Sequence, residues 1–398
     1  MVEKNTKVGR NTFIFIGLTY LLYFGQLGIL TPYLSVFLDG RDFSSKDIGT
    51  LLAFITLTRI IGPSLWAGLA DKSGKPLHIM RLGCFLSACL FAGVFFVHGF
   101  FWLTLVFGAM MMFWTAVLPQ LEVITLQHLK SSKLSYGKIR LWGSVGFILF
   151  TVVTGMAIDL KGSESPIWIS MCLLVVLFLS SLALNEASER QQSGATKSKL
   201  WLLALKRPFV VFLIASFLLQ MSFGTFYGFF ALYLRDLNYS GSQTGLLIAL
   251  GVVSEIGIFL IASKVINKLG VKLTLLISFF ATALRWWLLG FFGNWAAIVF
   301  VSQLIHALSF GLIHATSVHF IHHFFPANFQ SRGQAIYISV SFGVGGALGH
   351  YVSGSLWNNG SGAVIAYTFG GVLALLGATS LLFTSSQSMD ERAASEQT

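Results

Sequence analysis

Apolar residues fill this chain in about twelve continuous stretches of near twenty residues, set apart by short polar breaks. A bilayer core of roughly 30 Å takes about 20 helical residues to cross. In lipid only helices or closed barrels satisfy every backbone amide, and these runs are continuous rather than alternating, which selects helices. The pattern predicts spans at about 12–38, 46–70, 76–97, 100–128, 136–160, 165–185, 208–235, 242–268, 272–292, 294–323, 330–358 and 362–385. Several exceed twenty residues, which implies tilt or extension past the hydrocarbon. The expected fold class is an all-α integral membrane protein with twelve transmembrane helices.

One long polar stretch, Glu186 to Arg207, divides six spans from six. It is rich in Ser, Gln, Lys and Glu and reads as a linker. The expected organisation is a six-helix bundle over 1–185, a cytoplasmic linker over 186–207, and a second six-helix bundle over 208–398 ending in a short polar tail. If the N-terminus is cytoplasmic, twenty of the 26 Lys and Arg fall on the inner side, four on the outer side, and Arg59 and Arg285 stand mid-span. The positive-inside rule then predicts both termini inside. Lys4, Lys7 and Arg10 before the apolar run at Phe13 resemble a signal peptide, but that run is too long and lacks a small-residue cleavage site, so it reads as an uncleaved first span.

Composition changes this picture little. The chain is 55% hydrophobic and 10% charged, against about a quarter charged in soluble domains. Its net charge of +11 lies in short loops between spans, so nucleic acid is not an expected partner. Cys84, Cys89 and Cys172 fall in apolar stretches without ligand spacing and read as packing residues, with no metal or cofactor implied. Trp102, Trp168, Trp295 and Trp357 lie near span ends and read as interfacial anchors.

The halves repeat. Shifting Gly68-Leu69-Ala70-Asp71-Lys72-Ser73-Gly74-Lys75 by 196 places Asp71 on Asn267, Lys72 on Lys268 and Gly74 on Gly270. Paired six-helix halves around a midplane site are a transporter architecture. The 68–75 loop is similar to the signature of the major facilitator superfamily, a Gly-x-x-x-Asp-Lys/Arg-x-Gly-Arg/Lys pattern between spans two and three. The resemblance implies two pseudo-symmetric bundles and a gating role for Gly68, Asp71, Lys72 and Gly74: the last glycine permits a sharp turn, and the aspartate caps a helix end or pairs with a basic neighbour.

An ionisable group in hydrocarbon costs roughly 3 kcal/mol or more on insertion scales, so those retained are paired or wetted. Arg59 stands about thirteen residues into span two, Glu255 the same distance into span eight, Arg285 mid-span nine and His306 mid-span ten. At 1.5 Å per residue all four come near one depth. Glu122, late in span four, and Arg140, early in span five, reach similar depth nearer the cytoplasm. Two acid–base clusters lining a polar cavity are one reading; buried ion pairs that fix helix packing are the other. Trp114, Tyr136, Trp142, Phe147, Tyr227, Trp286 and Trp287 lie near the charges, and some are candidates to stack on a ring.

A closer resemblance covers both halves. Ser135-Tyr136-Gly137-Lys138-Ile139-Arg140-Leu141-Trp142-Gly143-Ser144-Val145-Gly146-Phe147 resembles the start of span five in the lactose permease and phenylpropionate permease families. Glu122 and Arg140 keep the lactose permease spacing of eighteen; Arg285 and His306 match that family's span-nine arginine and span-ten histidine. Three positions depart from it: Ser309 replaces a proton-carrying glutamate, Phe147 replaces a sugar-stacking tryptophan, and no span-seven aspartate is present. The departures point away from a galactoside mechanism. The phenylpropionate permease family is similar also at Gly251-Val252-Val253-Ser254-Glu255, Tyr227-Gly228-Phe229, Arg59, Arg285 and the His306/His314 pair.

These readings lead to an expected proton-coupled symporter of a bacterial inner membrane, working by alternating access as a monomer among lipids, with no enzymatic constellation. Glu255, with His306 and Glu122, is expected to carry protons. Arg59 or Arg285 would hold a substrate carboxylate, with Arg140, Glu122, Tyr227, Trp142, Phe147, Gln220 and His314 completing the binding set. The substrate expected is a small aromatic carboxylate. The alternatives are a neutral sugar or nucleoside, read by groups such as Glu122, Arg140, Gln220 or Asn238, and a transporter-like receptor or lipid-handling protein without solute coupling.

Overall fold

A computed structural model describes residues 10–130, 132, 134–185, 200–327 and 329–390. Among these, eleven helices are long and apolar enough to cross a membrane. They are α1 (Asn11–Asp39), α2 (Ser45–Ser73), α3 (Pro76–Phe95), α4 (Phe100–Leu129), α5 (Tyr136–Lys161), α6 (Ser165–Leu182), α7 (Arg207–Asp236), α8 (Gly241–Phe292), α9 (Ala296–Phe324), α10 (Gln330–Gly360) and α11 (Ala363–Phe383). A short α12 (Ser386–Asp390) follows. Most of the expected linker, residues 186–199, lies outside the described residues; Leu200–Ala204 form a helical turn and Arg207 opens α7.

Eleven helices against twelve expected spans is explained by α8. Its 52 residues would reach roughly 78 Å if straight, more than twice a bilayer core. Gly270 breaks it, with φ 75° and ψ 167°, a conformation glycine reaches without the Cβ penalty. Spans eight and nine therefore meet at Gly270. The bend is held from the chain's end: Asp390 accepts a hydrogen bond from the Val271 amide at 3.2 Å, and Lys272 Nζ donates to the Thr384 carbonyl at 2.6 Å. The first half holds its own sixth span similarly, as Arg81 donates to the carbonyls of Ser181, Leu182 and Leu184 at the end of α6. Cations at a helix C-terminus satisfy the last carbonyls and complement the dipole.

Two compact units emerge. One gathers the described residues of Met1–Gly40 and Thr58–Ala195, the other those of Arg41–Leu57 and Thr196–Thr398. Helix α2 thus contributes Thr58–Ser73 to the first and Ser45–Leu57 to the second. In the first unit α1 packs along α5 and α6; in the second α7 packs along α10 and α11, the same pairing of a leading helix with the last two.

Small residues allow these contacts. Without a hydrophobic driving force between helices in lipid, association relies on close packing and hydrogen bonds. A Cβ on Gly146 of α5 would meet the α1 backbone at Leu21, with Leu21 Cα 2.8 Å away. Beside it Thr151 Oγ1 donates to the Gly28 carbonyl at 2.8 Å, and Tyr33 donates to the Thr151 carbonyl at 3.0 Å. The second unit repeats the device: Gly224 of α7 abuts the Gly349 backbone of α10, next to a Thr225–Ser353 hydroxyl pair at 2.9 Å.

Two surface expectations are corrected. Trp102, Trp168 and Trp295 are exposed, but Trp357 is 1% exposed and stacks on Phe229 at 5.1 Å, so it is a core ring rather than an interfacial anchor. Of the cysteines only Cys84 is buried; Cys89 and Cys172 are exposed and do not pack a core.

Gly146→Val forces a side chain into the α1 backbone and is expected to cost about 1–3 kcal/mol. In detergent its thermal unfolding midpoint should fall well below that of Gly257→Ala, whose Cβ meets nothing within 4 Å. Equal midpoints would contradict the packing assignment.

Candidate functional site

Three of the four mid-span charged or titratable residues meet in the second unit. His306 on α9 lies between Glu255 and Arg285, which come from opposite sides of the Gly270 bend in α8. His306 Nε2 is 2.6 Å from Glu255 Oε1, and Arg285 Nη1 is 2.7 Å from His306 Nδ1. A guanidinium can only donate, so Nδ1 must accept. In a neutral imidazole the proton is then on Nε2, which donates to the Glu255 carboxylate. The hydrogen-bond network thus assigns the tautomer.

Burial makes this chain of contacts consequential. Arg285 is 0% exposed and His306 5%, while the Glu255 side chain keeps 14%. Arg285 Nη1 also donates to Ser309 Oγ at 3.3 Å. The guanidinium lies 4.2 Å from the Phe226 ring centroid and 4.6 Å from that of Trp286. Its Nε and Nη2 edge has no hydrogen-bond partner among the described residues. A buried charge with unsatisfied donors is costly. That edge is also the planar, two-donor geometry that matches a carboxylate.

Local helix geometry sets the approach. Directly after His306, α9 takes a π-helical turn over Ala307–Leu312. Such wide turns are concentrated at functional sites. The turn buries Ser309 below Arg285 and brings Gly311 against α8, where a Cβ would lie 3.4 Å from Glu255 Cγ. Gln303, one turn before His306, is fully buried; it donates to Ser302 Oγ at 3.0 Å and leaves Oε1 unpartnered among the described residues. Gln220 is buried in α7, and Tyr227 and His314 are half-buried.

The first unit holds a second, looser set. Tyr136 donates to Glu122 Oε1 at 3.0 Å. Arg140 does not reach an ion-pair distance to Glu122; its guanidinium lies 3.8 Å from the Phe24 centroid, with Tyr20 at 5.9 Å. The spacing of eighteen therefore yields a carboxylate held by a phenol and an arginine held by rings, rather than a direct pair. Trp142 is 51% exposed and its indole lies against Gly17 of α1; half-buried Phe147 contributes its backbone to the Gly28 contact. Arg59 is exposed on α2 within this unit. Gly68, Asp71 and Lys72 are exposed near the end of α2, and Gly74 turns the chain with φ 65°.

Among the described residues no three His, Cys, Asp or Glu side chains gather as a metal ion would require. Sequence reasoning did not single out Phe24, Phe226 or Phe310 beside the charged groups. With 38 phenylalanines in the chain, ring identity alone carries no signal; helical spacing from His306 reaches Phe310 alone, since Phe24 and Phe226 stand on other helices than the charged groups they touch.

Comparison with known proteins agrees with this architecture. The family described as MFS_1 like family matches residues 13–369. The "Probable 3-phenylpropionic acid transporter" of Escherichia coli (strain K12) is 30% identical over 337 residues, covering 82% of this chain and 86% of its own length. The "Maltose permease" of Geobacillus stearothermophilus is 27% identical over 403 residues, covering 96% and 95%. Among solved structures, that of the nucleoside transporter NupG superposes with a TM-score of 0.83 at 18% identity, covering 94% of this chain and 98% of that one; the likeness is one of fold. The chain is a multi-pass membrane protein with the major facilitator fold, a transporter rather than an enzyme, and it belongs to the MFS_1 like family.

Proposed function

We propose that this transporter carries a small aromatic carboxylate together with a proton, by alternating access. The observation that carries the reading is the Glu255–His306–Arg285 chain with its buried, unsatisfied guanidinium edge. With Glu255 ionised, the cluster is neutral: one carboxylate balances one guanidinium through a neutral imidazole. A proton on Glu255 leaves the arginine unbalanced in a low-dielectric setting, where charge interactions are strong. An anion at the free Nε/Nη2 edge restores neutrality. Proton and carboxylate binding are therefore linked, each raising the affinity for the other by the same factor. Shared loading and shared release amount to symport.

The remaining assignments follow from this centre. Glu255 is the proton carrier, and His306 transmits its state to Arg285. Tyr227, Gln220 and His314 are assigned to substrate binding within the second unit, and Arg59, Glu122, Arg140, Trp142 and Phe147 are assigned to substrate binding within the first. Glu122, paired with a phenol, is a second protonation site. Gly68, Asp71, Lys72 and Gly74 form the cytoplasmic gate. Both termini face the cytoplasm, and the protein works as a monomer in the inner membrane. The phenylpropionic acid transporter, matched over most of both chains, supports an aromatic acid as substrate.

A second reading, a neutral sugar or nucleoside, is supported by the match to a maltose permease over nearly the whole chain. Ligand-induced thermal stabilisation separates the two: a ligand that binds only the folded site stabilises by mass action. The proposal expects 3-phenylpropionate to raise the unfolding midpoint and maltose or uridine to leave it unchanged. The reverse order would favour the second reading. A receptor or lipid-handling protein would give no solute-driven proton signal in vesicles.

Two substitutions test the linkage. Glu255→Gln mimics a permanently protonated carboxyl. It should retain exchange of acid across the membrane yet lose uphill, proton-driven uptake in proteoliposomes; retained accumulation would remove Glu255 as carrier. Arg285→Lys keeps the charge but loses the planar pair of donors. Affinity for the acid should drop by about 10- to 100-fold, matching a charge-assisted hydrogen bond of about 1.5–3 kcal/mol. An unchanged dissociation constant would refute the carboxylate role.

A further inference from the structure

Beside the Glu255–His306–Arg285 chain stands a buried acceptor without a donor. Gln303, three residues before His306 on α9, is 0% exposed. Its neighbour Ser302 spends its hydroxyl hydrogen on the Val299 carbonyl, 2.6 Å away, so Ser302 Oγ can only accept from the Gln303 side chain. The group that reaches Ser302 Oγ, at 3.0 Å, is therefore the amide nitrogen. This network fixes the orientation of the amide and leaves its carbonyl oxygen, Oε1, unpartnered among the described residues. A buried acceptor in that state loses its hydration and receives nothing in exchange.

That oxygen faces the segment of α8 that carries Glu255. A Cβ built on Gly251 would lie 3.4 Å from Gln303 Oε1 and 3.2 Å from His306 Cδ2. Cδ2 is bonded to Nε2, the atom that meets Glu255 Oε1 at 2.6 Å. Gly251 is the fourth residue before Glu255, on the same face of α8 one turn earlier, and helical side chains lean toward the preceding turn. Amide oxygen, imidazole edge and carboxylate converge over a residue that has no side chain to fill the space between them.

Hydrogen-bond inventory then separates the two states of Glu255. An ionised carboxylate and an amide oxygen are both acceptors and offer each other nothing, whereas a protonated carboxyl has one O–H to donate. His306 cannot take that hydrogen, because Nδ1 receives Arg285 and Nε2 carries its own proton; the guanidinium only donates. The other titratable groups in electrostatic reach of Arg285 are Tyr227 of α7 and Tyr367 of α11. We propose that Gln303 is the acceptor for the proton that Glu255 takes up. The proton binds the carboxylate oxygen not engaged by His306, and the O–H so formed donates to Gln303 Oε1. Gln303 is a positioning residue of the coupling site, matched to the loaded state; the assignment rests on Glu255 as the proton carrier.

Infrared pH titration of the full-length transporter tests this without any substrate. The signal is the protonated-carboxyl C=O band present in the wild type and missing from Glu255→Gln. Gln303→Leu removes the acceptor and disfavours the protonated form. The midpoint at which the band appears should move to lower pH by about one unit, a tenfold loss of proton affinity on the scale of one hydrogen bond. The band itself should move to higher frequency as its O–H loses a partner. A purely structural role for Gln303 would lower thermal stability and leave both readings in place. If Gln303→Leu fails to fold, Gln303→Met replaces it in the same comparison. An unmoved midpoint and frequency, with the Glu255 band present in the wild type, overturn the Gln303 assignment alone. A wild type with no Glu255-dependent band at any pH where it stays folded overturns Glu255 as the carrier, and this assignment with it.

Discussion

A single imidazole shared by a carboxylate and a guanidinium, inside a bundle of apolar helices, governs how the rest of this structure is understood. Arg285 cannot accept a hydrogen bond, and this fixes the His306 tautomer; the tautomer in turn aims a proton at Glu255. The three groups behave as one unit whose net charge changes when Glu255 gains a proton. Water would screen such a change, but Arg285 is fully buried between Phe226 and Trp286. Low dielectric makes an unbalanced charge expensive, and in the proposed mechanism the same expense would couple a proton to an anion.

The fold supplies the frame that the proposed coupling needs. Glu255 and Arg285 lie on two arms of α8 joined at Gly270, and their separation depends on that bend. Asp390 and Lys272 hold the bend through the Val271 amide and the Thr384 carbonyl. The π-helical turn of α9 then sets Ser309 against Arg285. Close glycine-mediated contacts, α1 with α5 and α7 with α10, give each unit a packed frame.

Much of this was legible from the pattern of residues. The spans followed from the length and continuity of apolar runs. Glu255, Arg285 and His306 were recognisable because ionisable groups are rare in hydrocarbon and these stand at one depth. What depth does not give is azimuth. Glu122 and Arg140 share a depth and a family spacing, yet Tyr136 and Phe24 rather than each other are their nearest polar and aromatic partners. Trp357 sits at a span end, but its rotation about the helix buries it on Phe229.

The central claim is that one proton and one carboxylate bind together. Calorimetric titration of the purified transporter with 3-phenylpropionate, repeated in buffers of different ionisation enthalpy, counts protons taken up on binding. The account predicts an uptake approaching one proton per acid bound at a pH where free Glu255 is ionised, and none in Glu255→Gln. A binding heat independent of buffer in the wild type at every pH tested, with the acid bound, would contradict it.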